Sequence, residues 1–275
     1  MLMKKISKPA TMMALAVALS AGAAPAQETS GYWQKVQDAG KLRCGAAIAA
    51  PYLMRDPATG EYSGFFADIC RDFAAVLSVQ PEFVDTTWDN IVAGLQAGKW
   101  DVSLALSRTP TRAMAINFSD AAMEYKTSFI YRNDNPKFDD NPTSFADIDV
   151  AGNTFVVMSG SSQDKTVTDA TKNATIVRLP GHDEARLAIM SRRADVLVDA
   201  SDANAIYVEM NPDWAVLFNP EPPLAEYGVG FGLPQSLTYQ EVQVANIFIE
   251  QLRATGKVEE YIAKAVAEVA AAGKN

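Results

Sequence analysis

The sequence predicts an α/β protein made of two bodies, the first of which the chain leaves and later re-enters. Three observations carry this. Short β-rich runs alternate with helical patterns along most of the chain. Hydrophobic residues make up 48% of the 275 positions and charged ones 21%, which supplies real cores and excludes low-complexity or collagen-like chains. A polar, turn-rich stretch over 133–142 breaks the alternation near the middle, directly after a strand pattern.

Residues 1–26 read as a leader. Lys4, Lys5 and Lys8 precede an apolar stretch from Thr11 to Leu19, and small residues end in Ala24-Pro25-Ala26. That is the layout of a secretory signal peptide cleaved after Ala26. The apolar stretch is well short of the roughly 20 residues a bilayer requires, and no later segment could span one. Export is therefore expected. A net charge of −9 points away from nucleic acid and anionic membrane surfaces, which demand a basic face. His182 is the single histidine, so a multi-histidine metal site is excluded, and neither metal nor cofactor is expected.

The elements follow in order. A strand over 41–49 holds Cys44 in an apolar run. A helix over 65–79 places Phe65, Phe66, Ile69, Phe73 and Leu77 at helical spacing, with Cys70 among them. In an oxidising compartment Cys44 and Cys70 allow one disulfide; two buried apolar thiols are the alternative. A strand over 81–85, a helix over 89–97 and a strand over 101–107 continue the alternation. Thr109 and Pro110 read as N-cap and first helical position of a helix over 110–116. Beyond a strand at 127–132 come strands at 154–159, 175–179, 194–199, 214–219 and 228–233. Helices at 162–172, 183–192 and 203–210 intervene, and His182 reads as an exposed turn ahead of the second. Such alternation favours mainly parallel sheets. The tail, 238–272, is a helix pair broken near Gly256, with Val242, Ala245, Phe248, Ile249 and Leu252 as the buried stripe of the first.

The stretch 133–142 reads as a linker, and 219–223, with Pro220, Pro222 and Pro223, as a second crossing. Two adjacent crossings make a hinge with a cleft, a common place for a small ligand. Two helix starts could hold an anion there. After the strand 101–107, Thr109-Pro110 presents free backbone N–H groups, and Arg112 in the first turn offers a planar fork suited to a carboxylate. The alternative is an Arg112 paired at the surface with an acid such as Asp120. In the other body, Ser159-Gly160-Ser161-Ser162-Gln163 opens a helix with hydroxyls and free amides. Ordinary capping competes at that site, but one such start in each body suits a grip on a small anionic or zwitterionic molecule.

An ordered series of motifs then resembles the extracellular solute-binding protein family 3, periplasmic amino-acid receptors of ABC importers. The series runs through Gly40-Lys41-Leu42-Arg43-Cys44-Gly45, Pro51-Tyr52, Gly60 to Gly64-Phe65, Trp88, Leu95-Gln96-Ala97-Gly98-Lys99-Trp100-Asp101, Thr109 to Arg112 and Phe118-Ser119. The resemblance implies a two-lobed periplasmic-binding-protein fold of type II, with two mixed sheets flanked by helices and joined by a two-strand hinge. Lobe one would comprise 27–127 with 229–275, and lobe two 130–226. The family implies a monomer that captures an amino acid or related carboxylate and hands it to a membrane permease. By resemblance, Arg112 clamps the ligand carboxylate, beside Ser107 and the cap Thr109. The main chain of Leu104 and Ala105 faces the ammonium, and Trp88 walls the side-chain pocket. Met158, Ser161, Ser162 and Gln163 complete the carboxylate site from lobe two. Core packing is the competing account of Trp88 and Met158.

Two positions depart from the family pattern. An aromatic residue that usually stacks on the ligand is Ala49 here, so the pocket is either wider or walled by Tyr52 and Trp88. The acid that usually meets the ligand ammonium falls at Ala200, with Asp199 one residue early and Asp202 beyond. Strand alternation would turn Asp199 away unless the strand end bulges, and Asp199 is the favoured candidate. The rival function is an enzyme on the same fold, a cyclohexadienyl dehydratase-like protein, which would need Asp199 or Asp202 kept protonated as a general acid. A hydrolase pair of Ser159 or Ser161 with His182 is disfavoured by the exposed-turn reading of His182. A ligand-sensing or accessory binding protein is the third reading. No catalytic residue is expected.

Overall fold

The computed structural model describes residues 31–272, so the leader expected over 1–26 lies outside the described residues. No helix among the described residues is long and apolar enough to cross a membrane.

The described chain opens with α1 (Tyr32–Asp38), which buries Trp33 and Val36, and passes into β1 (Lys41–Ala47). A small hairpin of β2 (Met54–Arg55) and β3 (Tyr62–Ser63) precedes α2 (Phe65–Val76). The apolar spacing seen in the sequence is the reason α2 packs as it does: Phe65, Phe66, Ile69, Cys70 and Phe73 all face the core. Cys70 is bonded there to Cys44 of β1, which decides between the two cysteine readings in favour of the disulfide. β4 (Gln80–Thr86) and β5 (Val102–Ser107) flank β1 in parallel, with α3 (Ile91–Gln96) between them in sequence. The Leu95 to Asp101 motif is structural. Trp100 lies so close to Gly94 that a Cβ there would stand 1.9 Å from its ring, and Asp101 holds Arg43 at 2.7 Å.

Next come α4 (Pro110–Ala113), β6 (Asn117–Phe118) and β7 (Met123–Arg132). α4 is a single turn, shorter than the helix expected over 110–116. A 3-10 turn (Pro136–Phe138) and α5 (Phe145–Ile148) lead to β8 (Thr154–Met158), α6 (Ser162–Ala170), β9 (Thr175–Leu179) and α7 (His182–Met190). Then follow β10 (Val196–Ala200), α8 (Ser201–Met210) and β11 (Ala215–Phe218). The chain returns through β12 (Glu226–Leu233) and ends in α9 (Tyr239–Ala254) and α10 (Lys257–Ala272).

The strands follow one hydrogen-bonded path, β4-β1-β5-β12-β7-β10-β8-β9, with β6 against β12 and β11 against β7. Each half is mixed rather than mainly parallel. The outer strands run parallel, whereas β12 and β7, which cross between the halves, are antiparallel to their neighbours. The path is unbroken because β7 serves both halves: Met123–Lys126 pairs with β12, while Thr127–Tyr131 pairs with β10 and Phe129–Arg132 also with β11. Separate apolar clusters lie on either side of this switch. Phe66, Phe73, Phe231 and Phe248 centre one, and Phe129, Phe155, Val196 and Phe218 another.

The stretch 133–142 is not the linker that its composition suggested. Phe138 is buried beside Tyr131, the Tyr131 hydroxyl donates to Asn141 Oδ1 at 3.2 Å, and Lys137 pairs with Asp195 at 2.8 Å. The segment is packed onto the second half, and the crossing falls earlier, inside β7. A strand can pass between two bodies with every amide paired, so a crossing carries no turn signature.

Candidate functional site

A small cavity opens where the ends of β1, β5 and β7 meet the starts of α6, α7 and α8. From the first half Tyr52, Trp88, Ala105, Ser107, Arg112 and Tyr125 reach it. From the second come Met158, Ser161, Ser162, Gln163, His182 and Asp199. Ala49 and Ala200 complete the wall, which Tyr52 and Trp88 share.

Arg112 sits in α4, which Thr109 caps by accepting the Arg112 N–H at 3.3 Å with Pro110 in the first position. Its guanidinium donates from Nη1 to the Ser107 carbonyl and from Nη2 to the Gly160 carbonyl, both at 3.2 Å. Among the described residues no carboxylate pairs with it, so the surface partnership with Asp120 is not formed. Burial lowers its pKa from the usual arginine value, against the influence of Tyr125 and Tyr227. A cation that has lost water and gained only neutral carbonyls is a strong attractor for an anion.

Three hydroxyls close a triangle beside it. Ser107 Oγ lies 2.9 Å from Tyr125 Oη, Tyr125 Oη 2.6 Å from Ser162 Oγ, and the two serine hydroxyls are 2.9 Å apart. Burial pushes the Tyr125 phenol up to about 12, although the serines and Arg112 pull the other way. Ser161 is spent locally, accepting the Asp164 N–H at 3.0 Å as N-cap of α6 and donating to the Met158 carbonyl at 2.7 Å.

On the opposite wall Asp199 faces the cavity from β10, and His182 Nε2 meets its Oδ2. The Ala200 N–H donates to Oδ1 at 2.8 Å. Burial alone would raise this carboxyl; the His182 charge and hydrogen bond, Arg186 and the Ala200 amide outweigh it and leave the pKa below the ordinary range. His182 is 6% exposed and opens α7 beneath β10, so the exposed turn expected for it is corrected. Pro180-Gly181 does make the turn, but it delivers the imidazole inward. Asp202 in the first turn of α8 takes the Tyr52 hydroxyl on both oxygens, at 2.6 and 2.7 Å, and burial raises its pKa.

Of the residues expected by resemblance to contact the ligand, Leu104 and Thr109 lie off this wall. The Leu104 side chain is fully buried in the core of the first half. Its neighbour Ala105 reaches the cavity with φ 54°, an uncommon backbone for alanine, where β5 is irregularly paired with β12. Thr109 caps α4 and faces an adjoining groove with Lys165 and Tyr227 instead. Tyr125 and His182 were missed. Tyr125 shares a strand face with Thr127, Phe129 and Tyr131, so extending the strand pattern two residues back would have found it. Among the described residues no group of three or more His, Cys, Asp or Glu is placed to hold a metal ion.

Comparisons with known proteins bear on the family and the fold. A probable amino-acid ABC transporter periplasmic-binding protein of Sinorhizobium fredii is 27% identical over 62% of this chain, and the match spans 57% of that relative's length. A probable histidine-binding protein of Campylobacter jejuni is 24% identical over 74% of this chain and 76% of its own. Among solved structures, an ancestral amino acid-binding protein, a precursor of cyclohexadienyl dehydratase, superposes with a TM-score of 0.76 at 26% identity. It covers 84% of this chain and 98% of its own. Residues 42–268 match the family model for bacterial extracellular solute-binding proteins, family 3, and the chain belongs to that family.

Proposed function

We propose that this protein captures a small amino acid or related carboxylate between two lobes, 27–127 with 229–275 and 130–226, and delivers it to the permease of an ABC importer. In this reading it is exported, cleaved after Ala26, works as a monomer in the periplasm and catalyses nothing. One observation carries the proposal: Arg112, desolvated and without a carboxylate partner, stands on the same cavity as a carboxylate, Asp199. An α-amino acid carries the complementary pair of charges. Arg112 would take the ligand carboxylate, with Ser107 and Ser162 beside it and the N–H groups at the start of α6 adding donors. Asp199 and the main chain at Ala105 would face the ammonium, and Trp88 and Met158 the side chain. Gln163 would orient Asp199, since its Nε2 lies 3.5 Å from Oδ1.

A dehydratase would need a carboxyl kept protonated against the substrate. Asp202 is the group that burial pushes in that direction, yet both its oxygens accept from Tyr52 and it does not line the cavity. Capture without chemistry is therefore the preferred reading. A thermal-shift screen of the purified protein against amino acids, 2-oxo acids and prephenate tests it. A ligand at about 100-fold over its dissociation constant should add roughly 2.7 kcal/mol of stability. Consumption of prephenate, or no shift with any amino acid or carboxylate, would overturn it.

A further inference from the structure

The charge inventory of the cavity is short. Among the described residues lining it, Arg112, His182 and Asp199 are the ones that carry or can carry charge. Asp199 is the sole carboxylate of the three, and it is already engaged: His182 takes Oδ2, and the Ala200 N–H takes Oδ1 at 2.8 Å. Carboxylates just outside the wall are engaged as well. Asp202 holds Tyr52, Asp89 accepts from Ser159 Oγ at 3.2 Å, and Asp164 pairs with Arg178 at 2.8 Å. What faces a ligand side chain is apolar or aromatic: Ala49, Trp88, Ala105 and Met158.

Charge balance then discriminates between ligands. With His182 neutral, Arg112 and Asp199 cancel, and a zwitterion leaves the closed site neutral. With His182 protonated the site carries one positive charge, which a carboxylate without an ammonium cancels. In neither state is there a carboxylate for a second ligand cation, and burying an unpaired ammonium or guanidinium is strongly unfavourable. Resting on the proposed function above, we infer that the cavity admits small ligands charged only at the α-carbon, a carboxylate with or without an ammonium. His182, by occupying Asp199, is the specificity-determining residue that excludes cationic side chains.

Calorimetric titration of the purified protein with L-alanine, L-serine, L-valine, pyruvate, L-lysine and L-arginine tests this. The expected result is that one of the uncharged-side-chain ligands binds at least about tenfold more tightly than lysine or arginine. His182→Ala frees Asp199 and should shift the ratio of lysine to uncharged-ligand affinity about tenfold toward lysine, with His182→Gln, which keeps a donor, restoring most of the original ratio. A purely structural role for His182 would lower all affinities together and leave the ratio unmoved, which would overturn its assignment. Ala49→Asp places a free carboxylate on the wall and should likewise favour lysine; it carries the test should His182→Ala fail to fold, and an unmoved ratio there overturns the charge argument. Tightest binding of lysine or arginine to the unmodified protein would overturn the inference while leaving the proposed function standing. Binding of pyruvate with no amino acid would support both, since a carboxylate without an ammonium is among the ligands each admits.

Discussion

Arg112 donates to two backbone carbonyls, one in each half of the molecule, so its fork is pre-aimed rather than searching. Arg112→Lys keeps the charge and loses the fork. Disrupting one charge-assisted hydrogen bond is worth about 1.5–3 kcal/mol, so ligand affinity should fall roughly ten- to a hundred-fold in calorimetric titration, with little change in the melting point of the free protein. Unchanged affinity would remove the clamp role. Tyr52 supports a second test. Tyr52→Phe strips the donor from a buried carboxyl, which should cost about 1–3 kcal/mol at neutral pH. Burial raises the Asp202 pKa in the folded state, so protonation favours folding. The Tyr52 hydrogen bond opposes that rise, so the variant's carboxyl titrates higher still, and the deficit should be full above the variant's folded value and shrink as pH falls toward the folded value of the unmodified protein. Urea melts at neutral and mildly acidic pH read it; a deficit independent of pH would argue that Tyr52 acts by packing alone. At this scale the sequence was informative wherever a cap or a fork announced itself, as at Thr109, Arg112 and Ser161. It gave no sign of the left-handed backbone at Ala105, which irregular strand pairing imposes, and it misread His182, whose burial depends on where α7 docks.

Among the elements, β1 and α2 form the most firmly tied pair, because the Cys44–Cys70 bond closes a separation of 26 residues between them. Loop closure of that size is worth about 3 kcal/mol in the unfolded chain. Replacing both cysteines by alanine should lower unfolding free energy by an amount of that order, and thiol labelling of the native protein should find none free. Two reactive thiols would contradict the bond. The alternation of strands and helices was readable from β1 to α10 because each apolar period is long enough to separate 2 from 3.6 residues. What escaped reading were α1, α5, the 3-10 turn and the two-residue strands β2, β3 and β6, which are too short for any period to register. The 133–142 stretch misled for a different reason: polar turn residues mark a change of direction, and its single Phe138 was enough to pin it to the second core.

Across the whole molecule the two halves meet closely. Gly160, φ 71°, faces Asp89 so tightly that a Cβ would stand 2.7 Å from the Asp89 backbone nitrogen. Gly160→Ala should therefore obstruct this approach as well as strain its own turn, weakening ligand binding about tenfold or more and enlarging the radius of gyration with ligand present. Normal affinity with an unchanged scattering profile would show that the contact is not needed for capture. The Ser107–Tyr125–Ser162 triangle and the Tyr52–Asp202 bond span the same junction, and none of these partnerships could be read from the sequence, since each joins residues far apart in the chain.

The strand path also has a consequence in time. β12, the last strand to be synthesised, lies in the middle of the sheet between β5 and β7, with Val229 opposite Ser107 and Tyr227 opposite Tyr125. The second half is made as one uninterrupted stretch and can assemble as it emerges. The first half must wait, with the flank of β5 that β12 will cover left open, until more than a hundred further residues have been added. Such long-range pairing is intrinsically slow, and the waiting edge is where a partly made chain is most exposed to mispairing or to a chaperone that recognises an unfilled strand slot.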